Sequence, residues 1–596
     1  MNENKKTLYA IFIFFLIGFV LIQNKRSKTD SEITEDEIMS HIKYLSHENR
    51  AGRHPGSRGS KDVISYITKQ LKSYGVQPGI GNSFIQPFEF KTGLKFKDSN
   101  YLKFNNSLLY PDLDYNPLSF STNGEFTGEA VFTGYGFQIN SDDLKWDDYK
   151  SINVNKKWVV VMRNSPEQKA QNPLFIKHSS LYKKVTVAKE QGALGIIFIS
   201  QKEDEELLPL QYLDGYKNLG IPVVHLSNSN AEKLLKGTEW NRKEIQSYMD
   251  KNLKPLNFPL PKVKISAKIN MSIANSRAAN IVGLIKSGNR EFRDDYILIG
   301  AHFDHIGSGG PFSGTRKPEK KQVHPGADDN ASGTAGLLEI AQKLSSQKGR
   351  LKRSVLLVAF DAEEKGLLGS KFFTKNPTVD LEKIKLMINM DMIGRVKDSS
   401  FTVGGVGTSP IFNKLLDSLS LKKPFNLIKS KPGYGPSDHA PFYSKNIPVL
   451  FFFSGFHDEY HTPEDTWKLI NLKGEKKILD FIYSLVFHLS RSKNPPVFTE
   501  AGPKDSKKTS SLEMTFGIVP NYYSSSIGLE IDQVLNNNSP ASIAGFLKGD
   551  IIKTIGGEKV NNFYDCIEKL EKVNPGMEVL IEVERSGKRI TLKPLL

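Results

Sequence analysis

Tyr296-Ile297-Leu298-Ile299-Gly300 is an apolar run of strand length, and two residues beyond it stands a histidine, His302. A run with no polar residue at alternate positions reads as a strand buried on both faces, the pattern of a parallel sheet covered by helices. Three more runs repeat it: Val355-Leu356-Leu357-Val358-Ala359-Phe360, Leu386-Met387-Ile388-Asn389-Met390 and Pro448-Val449-Leu450-Phe451-Phe452-Phe453. Helical stretches such as Ala331 to Leu344 and Ile411 to Leu419 lie between them. The alternation predicts an α/β fold, a three-layer sandwich with a mostly parallel central sheet.

The residues just past each run are chemically unusual. Ligands in open α/β sheets gather at the carboxyl ends of strands. There the chain places His302, the pair Glu363-Glu364, Asp391 and, in the loop after the last run, His461. Asp328 adds a fifth, inside Gly326-Ala327-Asp328-Asp329-Asn330-Ala331-Ser332-Gly333, just before a helix. Two imidazoles with several carboxylates suit zinc or another borderline divalent ion. Two cations repel unless an anion lies between them, and a loop carboxylate can present one oxygen to each, so Asp328 is the expected bridge. Asp304 stands two residues after His302 and is placed to accept from its second ring nitrogen. Adjacent Glu363 and Glu364 cannot both coordinate in the same way: one is expected to bind and the other to take a proton from an attacking water. Singly, each residue reads more simply, Asp328 as a helix cap and Glu363-Glu364 as a solvated strand end. Their joint placement at strand ends and a glycine loop favours the metal reading.

Outward from this core, at 596 residues the chain is too long for one domain. A helical pattern starts near Glu35 and a second spans Ser57 to Tyr74, with Val63, Ile64, Ile67 and Leu71 on one face; the family resemblance drawn below implies that both open the same domain, with bounds of 33–120 and 257–490. Between them, residues 122–253 have a β-rich texture, with strand candidates such as Trp158-Val159-Val160-Val161-Met162 and Gly195-Ile196-Ile197-Phe198-Ile199, and show neither a cluster of metal-type ligands nor a nucleophile elbow. The Pro, Lys and Ser-rich stretch 493–511 reads as a linker to a third domain over 512–596.

Composition bounds the partners. The net charge of +16, from 81 Lys+Arg against 65 Asp+Glu, is scattered lysine with no Arg-rich tract or basic helix, so no nucleic-acid partner is expected. Leu8 to Ile22 is a continuous apolar stretch flanked by Lys5-Lys6 and Lys25-Arg26. Its length suits the apolar part of an export signal, and residues 1–26 read as a signal peptide or a retained membrane anchor. The single cysteine, Cys566, excludes an intramolecular disulfide, which points to a bacterial periplasm, envelope or exterior.

Taken in order, these motifs resemble the M28 family of zinc peptidases, most specifically at residues 326–333, at Ala362-Glu363-Glu364-Lys365-Gly366-Leu367-Leu368-Gly369-Ser370 and at His461-Thr462-Pro463-Glu464-Asp465-Thr466. The resemblance implies two zinc ions per chain, one held by Asp328, Glu364 and His461 and the other by Asp328, His302 and Asp391. It also implies that Glu363 is the general base and that Asp304 orients His302. Peptides are the implied substrates and an aminopeptidase the implied activity. A carboxypeptidase or dipeptidase stays open, because zinc ligands do not encode which terminus is recognised. A peptide-binding protein with a vestigial metal site is the rival of another class. Tyr434, in Pro432-Gly433-Tyr434-Gly435, is a candidate donor to the oxyanion, with an ordinary loop aromatic as the alternative. His439 and Asp438 are read as supporting that loop, and His324 and His457 as rim residues. Residues 122–253 resemble a protease-associated (PA) insert. The stretch Ser539-Pro540-Ala541 with Lys548-Gly549-Asp550-Ile551-Ile552 resembles a bacterial PDZ domain, a binder of C-terminal peptides.

Overall fold

The strand Tyr296–His302 lies between Ser354–Phe360 and Ile384–Met390, parallel to both, and Val449–Phe453 runs parallel to Ile384–Met390 on its other side. In this computed structural model the described residues are 32–596, apart from 105–106, 143, 167–174, 176–177, 202–206, 211–217, 311–312, 318–319, 423–424, 503, 505–515, 521–526, 535–538, 562, 572, 574–577 and 595–596. The four parallel strands are the centre of a nine-stranded sheet whose flanks are antiparallel, through Met271–Ile285 on one side and Ser400–Gly404 on the other.

The apolar runs are buried on both faces because successive side chains point to opposite sides of the sheet. Ile297, Ile299, Val355, Leu357, Leu386 and Ile388 join one core with Leu337 and Ile340 of the helix Gly333–Ser346 and Ile482 and Leu485 of Leu472–Arg491. Leu298, Leu356, Val358 and Met387, one residue out of phase, pack on the opposite face with Phe373 and Phe442. Helix, sheet, helix is the three-layer sandwich expected. The N-terminal helices Glu35–Leu45 and Arg58–Ser73 add Ile38, Ile42, Val63 and Ile67 to the first core, each helix capped by a hydroxyl, Thr34 or Ser57, accepting from a first-turn backbone N–H.

A second, eight-stranded sheet has its own core, including Trp146, Trp158, Val160 and Ile265. It reaches past the bounds 122–253 read from sequence. Tyr101–Phe104, Ser107–Leu109 and Tyr115–Pro117 belong to it, and so does Asn257–Ile269, which pairs with Gly124–Thr133. The physical reason is that apolar alternation shows that a segment is a strand, not which sheet it joins. The insert is carried on a ribbon, Ile85–Phe96 paired antiparallel with Met271–Ile285, which runs into the peptidase sheet.

The third core, around Phe516, Ile531, Phe546, Ile552, Cys566 and Ile581, closes a small C-terminal β domain. The apolar segment 8–22 lies outside the described residues. Among the described residues no helix is long and apolar enough to cross a membrane.

Candidate metal centre

At the carboxyl ends of the parallel strands two groups of donors face one another. Ligand atoms of His305, Asp329, Glu364 and His461 lie within 4.8 Å of each other, and so do those of His302, Glu363 and Asp391. His302 is the last residue of its strand, Glu363 and Glu364 sit in the turn after Ser354–Phe360, and Asp391 directly follows Ile384–Met390. These placements reflect strand length: each run ends where the sheet ends, and the next polar residue emerges at its rim.

One expectation is corrected. The aspartate between the two groups is Asp329, not Asp328. Asp329 Oδ1 is 3.4 Å from His302 Nε2 and its Oδ2 is 3.1 Å from His461 Nε2. Asp328 faces the other way: Oδ1 accepts from the Gly394 N–H at 2.7 Å and the Ser332 hydroxyl at 3.0 Å, and Oδ2 lies 3.3 Å from His457 Nε2. The cause is backbone geometry. Asp329 and Asn330 leave the helical region (φ −104°, ψ 96° and φ −128°, ψ 49°), so two adjacent acids project to opposite sides of the loop. His457, read as a rim residue, is instead buried beneath the loop beside Asp328. Asp465 accepts from the N–H groups of both Asp328 and Asp329, at 3.0 and 3.2 Å, and so anchors the turn between them.

The remaining donors are positioned individually. His302 Nε2 is 3.3 Å from Asp391 Oδ1, and Asp391 Oδ2 accepts from the Ser437 hydroxyl at 2.7 Å. The other nitrogen of His302 is 3.2 Å from the backbone carbonyl of Asp304 and 3.7 Å from its carboxylate. That carboxylate is occupied elsewhere: it accepts from the Glu363 and Glu364 N–H groups at 2.9 and 3.3 Å. Asp304 therefore orients His302 through its main chain and the glutamate turn through its side chain. His461 Nδ1 donates to the Gly314 carbonyl at 2.8 Å, leaving Nε2 toward Asp329 and Glu364, each 3.1 Å away. The loop that supplies Gly314 carried no sequence signal of this role.

Electrostatics divides the two glutamates. Burial opposes ionisation of Glu364, but His461 and the hydrogen bonds from His305 and His461 bring its carboxyl down to about 2. Glu363 is pushed well above the carboxylate range, first by burial and then by Asp438, Asp391 and Glu364, against the pull of His302. Burial likewise lifts Asp304 to about 7. For His461, burial works against a positive charge, yet Glu364 and Asp329 outweigh it and raise the imidazole well above its usual value. Imidazole and carboxylate donors that converge within 4.8 Å in each of the two groups are the chemistry that binds a borderline divalent cation, so the donor set fits zinc.

Arg53, in a turn-rich loop whose sequence carries no signal of such a role, is fully buried behind this centre. Its guanidinium donates to the carbonyls of Phe303, Leu45, Pro325, Gly326 and Asp329, tying the His302 strand end to the Asp329 loop. Tyr434 packs half-buried against the apolar cluster of Val282, Phe360 and Phe442. The tyrosine set in the field of the acidic groups is Tyr460: burial, then Asp329, Glu364, Glu363 and Asp391, push its phenol well up. Its ring stacks on His461 with centroids 3.9 Å apart. Beside it, Met392, Phe451, Phe453 and Phe456 form an apolar wall.

A parallel α/β sheet with paired imidazole and carboxylate groups at its rim is the build of a metal-dependent hydrolase domain. Residues 280–486 match the model of Peptidase family M28, and this part of the chain is a peptidase domain of that family. Residues 126–234 match the PA domain and residues 514–594 a PDZ domain. Aminopeptidase YwaD of Bacillus subtilis (strain 168) is 28% identical over 326 residues, 53% of this chain and 61% of that protein. Leucine aminopeptidase 2 of Trichophyton rubrum is 27% identical over 212 residues, 34% of this chain and 39% of the relative. The chain thus spans only about three fifths and two fifths of these curated relatives. BSAP, a zinc aminopeptidase from Bacillus subtilis of solved structure, shares 21% identity at a TM-score of 0.46, over 79% of this chain and all of that one.

Proposed function

We propose that the chain is a zinc-dependent aminopeptidase that removes N-terminal residues from peptides. The observation that carries this reading is the aspartate between two imidazoles: one Asp329 oxygen faces His302 and the other faces His461. Asp329, Glu364 and His461 would hold one ion, and Asp329, His302 and Asp391 the other. When bound, zinc supplies a Lewis acid for the scissile carbonyl and lowers the pKa of water.

The protein's own groups do the rest. Glu363, unlike Glu364, is not committed to a histidine at hydrogen-bond distance: its closest imidazole nitrogen, on His302, is 3.9 Å away. As a carboxylate it takes a proton from the attacking water, and as the acid so formed it returns that proton to the departing amine. Asp304 fixes the turn on which Glu363 stands, and Ser437 fixes Asp391.

The names of the aminopeptidase relatives support the choice of terminus. Peptides with a free amino terminus, assayed against the same sequences N-acetylated and against C-terminally amidated ones, test it. Cleavage that needs a free carboxyl terminus, or that survives acetylation, would defeat the aminopeptidase assignment. Loss of activity in a chelator and its return with zinc tests the metal separately.

A further inference from the structure

His305 is absent from the ligand set that the sequence implies, yet it lies inside the centre. Its Nδ1 is 2.7 Å from Glu364 Oε1 and 3.7 Å from Asp329 Oδ2. The ring has no exposed surface, and its Nε2 has no hydrogen-bond partner among the described residues. A side chain at Gly326 would come within 2.5 Å of the ring's Cδ2, so the glycine loop leaves the imidazole wedged against Glu364.

We propose that His305 is a positioning residue that donates from Nδ1–H to Glu364 Oε1 and thereby aims the other oxygen, Oε2, at the ion shared with Asp329 and His461. The proposal rests on the zinc reading above. Tautomer accounting favours it over direct coordination by His305. A coordinating Nδ1 would put the single proton of the neutral ring on Nε2, stranding a buried donor. The hydrogen-bonded form strands only an acceptor, which costs less. Glu364 Oε2 is 3.1 Å from His461 Nε2, so the carboxylate is divided, one oxygen to each imidazole. Partners of metal ligands commonly contribute about 10- to 100-fold in metal affinity.

The test uses the full chain with zinc, titrated against a chromogenic chelator, comparing wild type, His305→Leu and His305→Asn, whose amide can place a donor where Nδ1–H stands. The expected result is that Leu weakens one zinc by about tenfold or more and Asn stays within about threefold of wild type. Cobalt-substituted wild type and Asn should then share one visible spectrum, because no ligand has changed. Equal zinc affinity in the Leu variant overturns the proposal. So does an X-ray absorption count showing one imidazole fewer in the Asn variant, since that makes His305 a ligand. Should the Leu variant not fold, the Asn variant decides alone: a tenfold loss counts against the proposal and near-wild-type affinity supports it. Wild type that binds no zinc defeats the metal reading and this role with it, whereas wild type that binds alongside an unaffected Leu variant defeats only the role of His305.

Discussion

The Nη2 group of Arg53 donates to the backbone carbonyl of Asp329 at 3.3 Å, across 276 residues of chain. The same guanidinium reaches Phe303, so one side chain sets the spacing between the loops of Asp329 and His302. Burial lowers its pKa to about 10, with Asp329 and Asp304 opposing the fall, so it stays charged at neutral pH. Arg53→Lys keeps the charge but loses the planar fork. It is expected to weaken zinc by about tenfold and to lower the melting temperature, the unsatisfied carbonyls costing about 1–3 kcal/mol each. Chelator competition and thermal unfolding read the two effects. Unchanged zinc affinity would show that the loops keep their spacing unaided.

Asp328 and Asp329 should separate cleanly. Asp329→Asn removes the charge that faces both imidazoles, and metal analysis is expected to find both ions lost. Asp328→Ala removes the acceptor for Gly394 N–H and Ser332, so it should retain zinc and cost about 1–3 kcal/mol of stability. The reverse pattern would restore Asp328 as the bridge.

Glu363→Gln is expected to bind zinc normally and to lower turnover by about 10²- to 10⁴-fold. Turnover and bound metal measured on one preparation decide it. Activity near wild type assigns the proton transfer to another group.

Acid should loosen the insert. His225 is buried in the second sheet, with Nδ1 accepting from the Leu208 N–H at 2.9 Å, and burial, then Arg163, lowers its pKa to about 3. A base whose folded pKa lies below its unfolded 6.5 gives full stability above pH 6.5 and loses it as pH falls toward 3. The slope reaches about 1.4 kcal/mol per pH unit. Trp146, Trp158 and Trp240 lie in the insert and Trp467 outside it, so tryptophan fluorescence in urea at successive pH values reports mainly this region. His225→Asn should flatten the slope between pH 6.5 and 4.5, and a variant as steep as wild type rules His225 out as the cause.

The central sheet was legible because strands buried on both faces leave unbroken apolar runs, and the rim donors were legible because they stand where those runs stop. The choice between Asp328 and Asp329 was not, since it depends on two backbone conformations inside a loop. Arg53 and Gly314 were hidden for a related reason. One acts on main-chain carbonyls and the other through its own carbonyl, and neither leaves a residue-type signature. His305 stands directly after Asp304, but its role appears only when Glu364 folds against it. The edge of the insert was misjudged because Asn257–Ile269 alternates as a strand of either sheet would.

The paired ribbon of Ile85–Phe96 and Met271–Ile285 makes the insert a removable cassette. Phe96 stands opposite Met271 at the ribbon's far end, so both crossings into the insert occur at one rung of a ladder. Excising 97–270 and closing the gap with a two-residue hairpin turn should leave a shortened enzyme whose ribbon still pairs. Grafting a foreign module at the same rung should be tolerated equally well. The catalytic half would then be a chassis, and what is mounted on its stalk a matter for evolution or for the engineer.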